Sequence, residues 1–136
     1  MSIRKMCLSV LILVLLATMT VSAQYEPFKV KLTMLERAMI MGMIPEKSSF
    51  ANLKIFTDLR MELAPNTEEA ILLDAKEAPG GGTNANWTAV PLKEITFGQI
   101  TERLIIDALK KLDTENALSQ GHASLYEKFV LRENIE

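Results

Sequence analysis

The chain has one cysteine, and it lies at position 7, inside an apolar run next to the N-terminus. Whatever folds beyond that run has no intramolecular disulfide to brace it and must stand on its core alone. Arg4 and Lys5 precede the run, Met6 to Ala17 forms it, and Thr18-Met19-Thr20-Val21-Ser22-Ala23 follows. A short basic region, an apolar stretch and small residues at Val21 and Ala23 are the order of a secretory leader. Cleavage after Ala23 is expected to release Gln24 to Glu136 to the periplasm or the extracellular space. The alternative is an uncleaved N-terminal membrane anchor. A spanning helix needs about 20 apolar residues, a length this stretch reaches only by taking in two threonines and a serine. Cys7 lies too early in the run for lipid attachment and leaves with the leader.

Residues 24–136 are expected to form a single compact domain, since a chain of this size buries roughly two-thirds of its unfolded surface. The formal charge of the whole chain is −2, and losing Arg4 and Lys5 takes it to −4, with both signs interspersed. Nucleic acid calls for a basic patch and a membrane surface for a basic amphipathic helix. The sequence offers neither, so membrane contact is expected only if the leader is retained.

Phe28-Lys29-Val30-Lys31-Leu32 alternates apolar and basic residues, the period of a half-buried strand. Thr33 and Glu36 then form a capping box that opens a helix running to about Met43, with Pro45 as its stop. Ser48 or Ser49 caps a second helix carrying Phe50, Leu53, Phe56, Leu59 and Leu63. Asn66 with Glu69 suits a further helical turn. Ile71 to Glu77 reads equally as helix or strand; as a strand, it would close a hairpin through Gly80-Gly81-Gly82 onto Asn86-Trp87-Thr88. Lys93 to Phe97 is a short strand ended by Gly98. Ile100 to Leu112 is the strongest helical pattern, and Ser119 caps a last helix with Leu125, Tyr126, Phe129 and Val130. The expected class is α+β: about four helices packed on a small sheet made from the Phe28 and Lys93 segments, with a hairpin around residues 71–89 left open.

The segments Pro45-Glu46-Lys47-Ser48-Ser49-Phe50, Leu53-Lys54-Ile55 and Asp58-Leu59-Arg60 are similar to a pattern in small phage- and prophage-encoded proteins. So are Ala108 to Asp113, His122 and Ser124 to Phe129, with Trp87 and Lys93-Glu94-Ile95 fitting the same layout. The resemblance covers nearly all of residues 24–136 and implies no activity and no functional residues. The chain departs from the pattern in carrying a leader.

No constellation for catalysis, a cofactor or a metal stands out. His122 is the only histidine, which leaves no His pair for zinc, and Ser124 is two residues from it, a spacing that does not face on a helix. A local hydrogen bond in the first helical turn is the expectation for His122. Gly80-Gly81-Gly82 lacks the Lys-Ser or Lys-Thr that a phosphate loop needs. The acidic pairs Glu68-Glu69 and Glu94 with Glu102 read as surface or caps.

Two features bear on binding. Ala38 to Ile44 is apolar all round, as a central core helix would be, yet Met39, Met41 and Met43 could also form an adaptable thioether surface for a partner. Trp87 is either a core plug or an aromatic anchor. The function class expected is therefore an exported, non-catalytic protein-interaction module. The alternatives are a small exported carboxylate enzyme and a membrane-anchored accessory protein of a phage or mobile element.

Overall fold

Alternation builds the sheet and helical periodicity covers one side of it. The computed structural model describes residues 24–133, so the leader expected at 1–23 lies outside the described residues. The elements run β1 (Phe28–Leu32), α1 (Met34–Met43), α2 (Phe50–Leu63), α3 (Thr67–Leu73), β2 (Lys76–Glu77), β3 (Thr83–Asn84), a 3-10 turn (Trp87–Ala89), β4 (Lys93–Phe97), α4 (Gln99–Thr114) and α5 (Gln120–Tyr126). A π-helical turn (Glu127–Leu131) continues α5. The fold is α+β, with the short α3 added to the four longer helical segments read from the sequence.

Strands β1 and β4 pair antiparallel, with Val30 opposite Ile95 and Lys31 opposite Glu94. Val30, Leu32, Ile95 and Phe97 point to one face and are buried, while Lys29, Lys31, Glu94 and Thr96 point to solvent. Helices α1, α2, α4 and α5 close the buried face through Ile40, Phe56, Leu59, Leu63, Ile105, Leu109 and Leu125. Each such side chain contributes roughly 1.5–3 kcal/mol of hydrophobic stabilisation when fully buried. Phe28, Phe97 and Phe129 gather at one end of the sheet, with Phe129 edge-on to the other two at 5.2 and 5.1 Å.

Caps set the helix starts. The Glu36 N–H donates to Thr33 Oγ1 at 3.1 Å and the Thr33 N–H to Glu36 Oε2 at 2.9 Å. Asn66 and Glu69 repeat the arrangement at 2.8 and 3.2 Å, and Ser49 accepts from the Asn52 N–H at 3.3 Å. The second box resolves the ambiguous stretch, because it commits Ile71 to Leu73 to α3 until Asp74 ends the helix at φ +43°. The hairpin lies inside the expected window but is smaller: Lys76 faces Asn84 and Glu77 faces Thr83. Its second strand is Thr83–Asn84, and Trp87 begins the 3-10 turn instead. Gly80, Gly81 and Gly82 turn it at φ +91°, +97° and +89°, values that side chains rarely tolerate.

One expected core residue lies outside. Phe50 is 88% exposed because it sits on the first position of α2, roughly 150° around the helix from the stripe of Phe56, Leu59 and Leu63.

The two ends of the fold meet. Tyr25 OH donates to a carboxylate oxygen of Glu102 on α4, and Arg132 Nη2 pairs with the other. The Arg132 guanidinium also stacks 3.9 Å from the centroid of Phe28. Among the described residues, no helix is long and apolar enough to cross a membrane.

Candidate functional site

The sequence offered Met39, Met41, Met43 and Trp87 as partner-binding residues. All four are half-buried. Met39, Met41 and Met43 all pack against the main core, and Met41 also packs, as Trp87 does, on a second cluster built on Met34, Leu73 and Val90. Met39 also accounts for Gly121, since a Cβ there would stand 2.9 Å from the Met39 sulfur. The structure therefore sets the three methionines on the main core and brings Trp87 together with Met41 alone, on the second cluster.

Beside that second cluster lies a charge that local patterning does not reveal. Arg37 is 0% exposed, and its Nη2 donates to Glu69 Oε2 at 2.8 Å and lies 2.7 Å from the Met34 sulfur. Its Nε has no hydrogen-bond partner among the described residues. Burial lowers the guanidinium below its usual pKa, and the Glu69 charge opposes that shift. Glu36 is likewise paired, accepting from Lys128 Nζ at 2.9 Å. Both capping glutamates thus do a second task, tying α1 to α3 and to the C-terminal turn. No sequence signal marks this, because Arg37–Glu69 and Glu36–Lys128 join residues far apart in the chain. Among the described residues, no group of three or more His, Cys, Asp or Glu could hold a metal. His122 makes the local bond expected of it, with Nδ1 accepting the Ser119 N–H at 3.0 Å.

The surface also carries clefts. One, of about 600 Å³, runs along α4 beside Gln99, Ile100, Arg103, Leu104 and Asp107. A neighbouring hollow includes Tyr25 and Glu102. The Tyr25 phenol is pushed up to about 12, first by burial and then by the bond to Glu102 and its charge, with Arg132 pulling the other way.

A further cleft, of about 300 Å³, is lined by Ile55, Asp58, Leu59 and Glu62 of α2 and by Thr96, Gly98 and Thr101. Its position follows from the sheet. Leu59 packs beneath the buried face while Thr96 points to the solvent face, so a cleft touching both lies at the free edge of β4. Among the described residues β4 pairs with β1 alone. The outer edge of β1 is occupied, because Lys128 Nζ donates to the Lys31 carbonyl at 2.9 Å. A Lys31 carbonyl turned outward makes Lys31 and Glu94 a pair without mutual backbone bonds, by the alternation of an antiparallel ladder. Glu94 and Thr96 then turn their N–H and C=O groups away from β1, on the edge where Thr96 lines the cleft. Lys93 Nζ donates to the Glu62 carbonyl at 2.9 Å and fixes α2 against the start of the strand. The carboxylates of Asp58, Glu62 and Glu94 have no ion-pair or hydrogen-bond partner among the described residues.

An unpaired strand edge with a helical wall beside it can add a further strand through main-chain hydrogen bonds. Sequence patterning located both β4 and α2 but carried no sign of the edge, which exists because no strand among the described residues pairs there. No protein-family model, curated protein or solved structure shows a significant match to this chain.

Proposed function

We propose that the chain is an exported, non-catalytic interaction module that receives a segment of a partner protein along the free edge of β4. The observation that carries this reading is the pairing of an unpartnered strand edge with the cleft between β4 and α2. Exposed edges are templates for pairing and are usually blunted or covered; here β1 is blocked by Lys128 and β4 is open. Export is supported by the order of Arg4-Lys5, the apolar run and Val21-Ser22-Ala23.

A photo-crosslinking residue at Thr96, compared with one at the exposed Lys110 of α4, tests the docking surface in the native host. Adducts with another protein are expected at Thr96 and not at Lys110. Adducts at Lys110 alone, or at neither position, would refute the reading.

A further inference from the structure

We infer that the segment taken up by β4 is extended and alternates apolar with basic residues; this rests on the docking reading above and names the chemistry of its partner. Only an extended backbone can satisfy the N–H and C=O groups of Glu94 and Thr96 together, because they recur at the two-residue period of a strand. Alternation then sends successive side chains of an incoming strand to opposite faces. One set enters the cleft, where Ile55 is half-buried and Leu59 buried, and apolar side chains suit it. The other set lies over the solvent face beside Glu94.

Charge selects the sign of that second set. Asp58 and Glu62 rim the cleft and Glu94 stands on the strand, all exposed and, among the described residues, without a hydrogen bond or ion pair. On β4 itself Lys93 is spent on the Glu62 carbonyl, and the lysines of the solvent face, Lys29 and Lys31, lie across the edge already paired with β1. The opposite edge of β4 shows the same pattern filled: β1 places Val30 and Leu32 inward and Lys31 directly across from Glu94. Opposite charges across a strand pair stabilise it and like charges do the reverse. The same rule disfavours a second copy of this chain as the occupant. A two-fold pairing of β4 with β4 would bring two sets of Asp58, Glu62 and Glu94 together.

The test uses the protein purified from its host and two labelled, end-blocked peptides, Phe-Lys-Val-Lys-Leu and its counterpart with glutamate at both lysine positions. Fluorescence anisotropy at low salt is expected to show binding of the lysine peptide, about tenfold weaker for the glutamate peptide. Binding of the lysine peptide should fall by a similar factor in the D58N/E62Q double variant, whose changed residues are solvent-exposed. Thr96→Pro removes one outward N–H without touching the bonds to β1, and should abolish binding while circular dichroism stays native. Hydrogen exchange at Glu94 and Thr96 should slow when the lysine peptide is present.

Equal affinity for the two peptides, or binding of neither, overturns the basic-segment inference. In that case Thr96 adducts in the host would still uphold docking at the edge, so the two readings fail separately. A doubled mass by light scattering that Thr96→Pro returns to the monomer value would also overturn it, making a second copy the occupant.

Discussion

Arg37 carries a guanidinium into a region otherwise built from Met34, Leu73, Val90 and Trp87, and among the described residues Glu69 is the one charge paired with it. Removing one member of a buried pair leaves the other desolvated and alone, which costs about 3–5 kcal/mol. Glu69→Ala should therefore lower stability in urea unfolding by about 3 kcal/mol or more, part of it from the lost cap. The double variant Arg37→Met with Glu69→Leu should recover most of that loss, because an apolar pair of similar volume needs no compensation. If the double variant is as unstable as Glu69→Ala, the ion pair is not what the site depends on. Tyr25 offers a second residue-scale check. Its phenol is raised to about 12 from an unfolded value near 10, so the folded state holds the proton more tightly. The resulting stabilisation is complete below about pH 10 and is lost as pH climbs through 10 toward 12. In a Tyr126→Phe background, ultraviolet titration of tyrosinate should show Tyr25 ionising near pH 12, and Glu102→Gln should bring that inflection down.

The elements that the sequence reveals best are those decided within three or four residues. Thr33 with Glu36 and Asn66 with Glu69 announce α1 and α3 because the bonds are local. Thr33→Ala and Asn66→Ala should each cost about 1 kcal/mol in thermal or denaturant unfolding; no loss at either position would mean that packing alone sets that helix start. Strand alternation likewise exposes β1 and β4 and the faces they bury. The longer-range features stay hidden for a physical reason. Arg37 looks like any charge in a helix until α3 folds over it, and Phe50 looks like part of the α2 stripe until the helix phase is fixed by Phe56 and Leu59. The hairpin falls inside the window left open for it but is shorter than that window, because a capping box, with its own local bonds, claims Ile71 to Leu73 first. The candidate site was the least legible part. Met39, Met41, Met43 and Trp87 stand out by residue type, whereas the edge of β4 is defined by the absence of a neighbouring strand and by a cleft shared between distant segments.

For the whole molecule, the first expectation concerns processing. Intact mass of the protein recovered outside the cytoplasm should begin at Gln24, and retention of Met1 in a membrane fraction would replace the secreted module with an anchored one. A second follows from the architecture. Tyr25 and Arg132 meet on Glu102, and Gly80 to Gly82 form an exposed turn far from that junction in sequence. A circular permutant that joins the ends by a short flexible linker and opens at Gly81 should keep the native circular dichroism spectrum; loss of structure would show that the hairpin braces the fold.

The same junction sets a timetable. A chain emerges from one end, and β1 is among its first segments, yet its strand partner β4, the carboxylate of Glu102 and the guanidinium of Arg132 all come much later. Native assembly cannot close at this junction until Arg132 has emerged. On the way β1 waits for its strand partner and Tyr25 for its carboxylate, so one late-made junction on Glu102 decides when the early and late segments are locked together.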